Sequence, residues 1–134
     1  MNKIFITDRY FLSYYAYGPI NGVDRLDVKK LTHYMIKPDM YFFVDVTPEV
    51  ALDRIKKYRR VDLPEIGFSN KLSDREEENW SHYLITQNTV YQNYKETVEA
   101  FDGIISINGN QNPEDVFYQV ISTICEKLKI TNLL

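Results

Sequence analysis

The chain has little of what many specialised folds depend on. Cys125 is its only cysteine, so no intrachain disulfide can form and there is no thiolate set for a structural metal; the apolar pattern around Cys125 places it in the core. Its two histidines, His33 and His82, stand far apart in sequence without metal-ligand spacing. No apolar run approaches the roughly 18 residues that span a bilayer, and Met1-Asn2-Lys3-Ile4-Phe5-Ile6-Thr7 lacks the features of a signal peptide. A membrane class is therefore excluded and a cytoplasmic location expected. The net charge of -3 offers no broad basic face for nucleic acid, leaving a small phosphate compound as the ligand to look for. Glycine is scarce too: Gly18, Gly22, Gly67, Gly103 and Gly109 make no G-x-x-x-x-G-K-[ST] phosphate loop.

What is present is ordinary for a globular protein. The chain is 44% hydrophobic and 26% charged, enough for one compact domain over residues 1–134. Ile4-Phe5-Ile6-Thr7, Met40 to Val46 and Ile104 to Ile107 are short apolar runs rich in branched or aromatic residues, and they read as buried strands. Thr47-Pro48-Glu49 starts a helix expected to reach Arg60. Asn112-Pro113-Glu114-Asp115 starts another, with Val116, Val120, Ile121, Ile124 and Leu128 at helical spacing. The stretch from Ser73 to Phe101 has no glycine or proline and opens Ser-Asp-Arg-Glu, which predicts one long capped helix. Leu63 to Leu72, with Pro64, Gly67, Ser69 and Asn70, reads as a mobile loop. Strands alternating with helices predict a parallel α/β sheet with ligands beyond the strand C-termini, after Thr7, Val46 and Ile107.

Directly after the first run come Asp8-Arg9-Tyr10, Ser13 and Ala16-Tyr17. An arginine at a strand end can grip phosphate through two parallel charge-assisted hydrogen bonds, which makes Arg9 the candidate clamp. Asp8 beside it can orient a magnesium-bound water, since phosphoryl transfer depends on positioning and charge compensation. Taken alone, such an Asp-Arg pair is more often a surface ion pair. A second basic cluster comprises Arg54, Lys56, Lys57, Arg59 and Arg60. It suits either a transition-state clamp on a moving lid or a solvated helix C-terminus, with Arg54 and Arg75 the better clamp candidates. Trp80, Tyr83, Tyr91 and Tyr94 read as packing residues with wet hydroxyls.

The order of these signals resembles thymidylate kinases. Asp8-Arg9-Tyr10, Ser13, Ala16-Tyr17, Lys37-Pro38-Asp39, Val44-Asp45-Val46, Pro48-Glu49-Val50-Ala51-Leu52 with Arg54, Asp74-Arg75 with Glu77, and Tyr91 carry the resemblance. It covers nearly the whole chain and implies a partial P-loop-kinase-like three-layer α/β fold. About three parallel strands would be flanked by helices, without the family's first two strands, and a lid would lie at about 54–75. It implies catalytic roles for Asp8, Arg9, Arg54 and Arg75, with Asp8 meeting the metal through water. It also implies contacts to a deoxynucleoside monophosphate from Arg9, Ser13 and Tyr17, with Tyr17 crowding the sugar 2′ position, and a place for the adenine of ATP at Arg54, Asn108, Gly109 and Asn110. The implied reaction moves a phosphoryl group from MgATP to dTMP, once a separately encoded P-loop half or a rearranged homodimer completes the protein; nucleic acid and membrane are not implied partners. The alternative is a non-catalytic remnant or regulatory nucleotide-binding module.

Two departures stand out: Gly18 occupies a position where bacterial members usually carry glutamine, and extra residues lie between Arg60 and Asp74. The family's strand order, 2-3-1-4-5, would also leave a gap between the strands of Ile4 to Thr7 and Met40 to Val46. Orphaned backbone groups there would cost about 1 to 3 kcal/mol each unless the flanking strands pair or another chain fills the space.

Overall fold

A computed structural model describes residues 4–130. In chain order the elements are α1 (Phe11–Tyr17), a single 3-10 turn (Pro19–Asn21), α2 (Arg25–His33), β1 (Tyr41–Asp45) and α3 (Pro48–Ile55). They are followed by α4 (Leu63–Ile66), α5 (Glu76–Ala100), β2 (Ile104–Asn108) and α6 (Pro113–Leu128). The result is an α/β fold with a small parallel sheet flanked by helices. β1 and β2 pair in parallel from Tyr41 opposite Ile104 to Asp45 opposite Asn108, so both strands end at the same edge.

The sheet has two strands where the apolar runs predict three. Ile4 to Thr7 has no ladder, and Ile4, Phe5 and Ile6 are 73%, 86% and 87% exposed. Apolar composition supplies side chains for a strand but not its partner, and the only ladder β1 makes among the described residues is to β2. The two strands expected to flank the gap therefore do not pair with each other.

Helix α5 is the hub against which α1, α3 and α4 pack. Leu52 of α3, Val61, Ile66 of α4 and Tyr83 of α5 form a buried cluster, flanked by Ile55, Trp80 and Leu84. On the other side of α5, Phe11 meets Tyr41 and Phe101 edge-on, with ring centroids 4.8 and 5.2 Å apart. Helix α3 stops at Ile55 rather than Arg60. Its last bonds tighten to i→i+3, from the Lys57 N–H to the Arg54 carbonyl and from the Tyr58 N–H to the Ile55 carbonyl. The chain then turns, letting the crowded cations find separate partners.

Within the expected mobile loop, Leu63–Ile66 is a short helix. Asp62 and Glu65 form a reciprocal capping box, Pro64 sits in the first turn, and Ile66 is completely buried. At the start of α5, Ser73 lies outside the helix. Its hydroxyl donates to Glu78 at 2.6 Å, and its backbone exchanges bonds of 2.8 Å with the Asn79 side chain, an arrangement that replaces the predicted capping box. Asn112 caps α6 as expected, accepting from the Asp115 N–H at 2.9 Å. Helix α6 has no fully buried residue, and Cys125 is half-buried rather than in the core.

Candidate functional site

The first site forms where the N-terminal segment turns into α1. Arg9 is one of two non-glycine residues among those described with positive φ, at 56°, a left-handed conformation that costs an L residue roughly 1 to 2 kcal/mol. That turn sets the Arg9 guanidinium over the Tyr17 ring, 5.4 Å from its centroid. Phe11, Leu12 and Ala16 bury one face of α1, which leaves Ser13 and Tyr17, four residues apart, together on another. With Arg9, Tyr14, Gly18, Asn21 and Val23 they line an open cavity of about 310 Å³. The structure thus brings Arg9, Ser13 and Tyr17 together.

Gly18 is sterically required here. A Cβ at this position would lie 2.5 Å from the Tyr14 carbonyl oxygen and 2.9 Å from Val28 Cγ2, so the backbone has no room for the glutamine expected by resemblance.

Helix α5 holds this site from behind through polar side chains. The Tyr17 hydroxyl donates to Gln87 Oε1 at 3.4 Å, and Gln87 Nε2 donates to the Glu65 carbonyl at 2.9 Å. Asn93 Nδ2 donates to the Ala16 carbonyl at 2.9 Å, and the Tyr94 hydroxyl lies 2.9 Å from Ser13 Oγ. The Glu65 carboxylate accepts a bidentate pair from Arg59 at 2.7 and 2.8 Å. That pair holds the Glu65 carboxyl below its ordinary range against the opposing effect of burial, and Arg9 adds a smaller attraction. Sequence reading passed over Gln87 and Asn93 as site supports. The signal was present in residues 83, 87, 90, 93, 94 and 97, whose spacing marks one inward face of α5.

A second cluster lies at the shared C-terminal edge of the strands. Arg54 donates to the carbonyls of Gly109 at 2.8 Å, Asn110 at 3.2 Å and Gln111 at 3.0 Å. The Asn110 carboxamide oxygen accepts from the Thr47 N–H at 3.1 Å, and the Gly109 N–H donates to the Asp45 carbonyl at 2.8 Å. Gly109 is held so closely that a Cβ would lie 2.3 Å from Val46 Cγ2. Asp45 itself accepts from Tyr91 and from Lys95, each at 2.8 Å. Burial pushes its carboxyl up, but the bonds from Lys95 and Tyr91 outweigh burial and hold it below the usual range.

The structure therefore places Arg54 with Asn108, Gly109 and Asn110, and its three carbonyl partners lie in that loop rather than in the Arg9 cavity. Three of the four other cations of the basic run have local partners: Lys56 lies 4.1 Å above the Trp80 ring, Arg59 pairs with Glu65, and Arg60 pairs with Glu76 at 2.7 Å. Arg75 is largely exposed and pairs with Glu78 at the start of α5. Asp8 is exposed in the bend beside Arg9. No group of three or more potential metal-ligating side chains occurs among the described residues.

A small parallel sheet whose strands end at one edge, flanked by helices and preceded by a segment with an arginine-lined cavity, defines an α/β protein. The chain belongs to the thymidylate kinase family, whose description matches residues 1–120. It is similar to a protein named probable thymidylate kinase 2 from Saccharolobus solfataricus, 33% identical over 84% of this chain and 52% of that protein. It also resembles a thymidylate kinase from Caldicellulosiruptor saccharolyticus, 32% identical over 94% of this chain and 56% of that protein. A third relative, a probable thymidylate kinase from Thermococcus kodakarensis, is 28% identical over 91% of this chain and 52% of its own length. The chain thus spans about half the length of these curated relatives.

Proposed function

We propose that this chain forms the acceptor-nucleotide portion of a thymidylate-kinase-type phosphotransferase, binding a deoxynucleoside monophosphate, dTMP, in the Arg9 cavity. The observation that carries this reading is Arg9 itself. A left-handed arginine held at a conformational cost over Tyr17 beside Ser13 is the kind of strained residue that functional sites retain, and its guanidinium can grip a phosphate through two parallel bonds. The guanidinium clamps the phosphate, the Ser13 hydroxyl meets the deoxynucleoside, and the Tyr17 ring supports the sugar on its 2′ side. Family membership supports the nucleotide substrate and the kinase class.

For the donor, the loop at Asn108, Gly109 and Asn110 suits a flat heterocycle. Arg54 holds its carbonyls in place, and the adjacent Gln111 Nε2 is a buried donor without a hydrogen-bond partner among the described residues. Arg54, Asn108, Gly109 and Asn110 would hold the adenine end of ATP, and Asp8 would bind a water of the magnesium shell, as a single carboxylate can. MgATP, when bound, supplies the phosphoryl group and the metal's positive charge. The sequence contains no G-x-x-x-x-G-K-[ST] loop, so turnover in this reading needs phosphate-binding backbone amides from a P-loop half outside these residues.

A coupled assay of ATP consumption with dTMP, run on the chain alone and with a P-loop-bearing half added, tests the reading. Turnover only in the mixture supports it. Turnover by the chain alone contradicts the requirement for a second half, and dTMP binding without turnover in either sample favours a non-catalytic nucleotide-binding module.

A further inference from the structure

Tyr94 lies on α5 among aromatic residues that read from sequence as packing, yet it makes contacts that packing does not require. Its hydroxyl is 2.9 Å from Ser13 Oγ. One face of its ring stacks on Phe43 of β1, with centroids 5.5 Å apart at 27°, and the ring meets Tyr17 edge-on at 6.2 Å and 84°. Tyr17 in turn carries the Arg9 guanidinium. One side chain therefore touches two of the α1 residues that line the Arg9 cavity and ties both to the sheet.

The polarity of the Tyr94–Ser13 bond matters. A phenol is more acidic than an aliphatic alcohol and is the better donor, so the favoured arrangement has the Tyr94 O–H donating to Ser13 Oγ. The Ser13 proton is then left for a different acceptor. A phenol is protonated at neutral pH, and burial pushes the Tyr94 ionisation further upward while the bond to Ser13 opposes it.

We propose that Tyr94 is a positioning residue of the nucleotide site: by donating to Ser13 it makes the Ser13 hydroxyl a hydrogen-bond donor to the bound deoxynucleotide, while its ring fixes the Tyr17 platform beneath Arg9. This inference rests on the Arg9 cavity being the acceptor-nucleotide site. It assigns Tyr94 a task distinct from that of Arg9, because the hydroxyl relay acts on the nucleoside and leaves the phosphate clamp alone.

Tyr94→Phe separates the two roles, since it keeps the ring against Phe43 and Tyr17 and removes only the hydroxyl. Isothermal titration with dTMP is expected to show a loss of affinity of roughly 3- to 10-fold in Tyr94→Phe and a similar loss in Ser13→Ala, as removal of one neutral hydrogen bond predicts. The double variant should lose little more than either single one, because both changes break the same relay. Inorganic phosphate, as a probe of Arg9 alone, should bind wild type and Tyr94→Phe equally. Unchanged dTMP affinity in Tyr94→Phe, fully additive losses, or a parallel loss of phosphate affinity would each overturn the relay. Absence of dTMP binding by the wild-type chain would overturn the acceptor-site reading and the relay together.

Discussion

Replacing Arg9 by glycine should cost ligand affinity while leaving stability nearly unchanged. At φ of 56° the arginine backbone sits where its Cβ crowds the following carbonyl, at a cost of roughly 1 to 2 kcal/mol that glycine does not incur. Glycine gives back about 0.5 to 1 kcal/mol through greater freedom of the unfolded chain, leaving a net gain on the order of 0.5 kcal/mol. The guanidinium, 5.4 Å from the Tyr17 centroid, makes a partly exposed cation–π contact whose loss, about 0.5 to 1 kcal/mol, roughly cancels this gain. Binding behaves differently, because a charge-assisted contact to phosphate contributes about 1.5 to 3 kcal/mol, or roughly 10- to 150-fold in Kd. Chemical denaturation of Arg9→Gly and Arg9→Ala alongside wild type, with dTMP titrations of all three, reads both quantities. Arg9→Gly should stay close to wild type in stability and be more stable than Arg9→Ala, with both variants binding weakly. An Arg9→Gly chain destabilised by more than about 1 kcal/mol would refute the strain argument. Retention of full affinity would refute the clamp.

Gly18→Gln, which installs the residue common in bacterial relatives by resemblance, should destabilise the chain by about 1 to 3 kcal/mol in denaturant titrations, because its Cβ would meet the Tyr14 carbonyl oxygen at 2.5 Å. Burial pushes the Tyr83 hydroxyl up to about 12 from an ordinary value of 10.0. Its contribution to stability is therefore intact below pH 10 and lost as the pH rises towards 12, on the order of 2 kcal/mol, and Tyr83→Phe should flatten this alkaline limb of the denaturation profile. Asp45 behaves in the opposite sense: its folded value lies below 3.8, so its contribution is present above that pH and is lost as the pH falls through the lower folded value. Asp45→Asn should weaken the acid dependence of melting below about pH 4, with a loss near neutrality of about 1 kcal/mol because Lys95 is partly solvated.

Much of the architecture was legible because its signals are local. Thr47-Pro48-Glu49 and Asn112-Pro113-Glu114 start helices where they should, and the unbroken run through α5 forms one helix of 25 residues. Asp62-Leu63-Pro64-Glu65 carried an equally local capping signature, so the start of α4 could also have been read, although nearby Gly67, Ser69 and Asn70 pointed to a loop. Ile4 to Thr7 was a different matter, since strand formation depends on a partner that composition does not specify.

The same distinction governs the site. Arg9, Ser13 and Tyr17 lie within nine residues and converge through one turn of chain and one helix face. The carbonyl partners of Arg54 stand 55 to 57 residues away, and the Tyr94–Ser13 bond spans 81, distances at which spacing rules say nothing. Gly18 could be seen as a departure in sequence, but only the positions of the Tyr14 carbonyl and Val28 explain it.

Isothermal titration of the wild-type chain with dTMP, paired with Arg9→Ala, decides whether the Arg9 cavity is an acceptor-nucleotide site. Wild type should show saturable one-to-one binding that weakens at least tenfold in the folded variant. Absence of binding by wild type at millimolar dTMP, or equal binding by both proteins, would contradict that assignment.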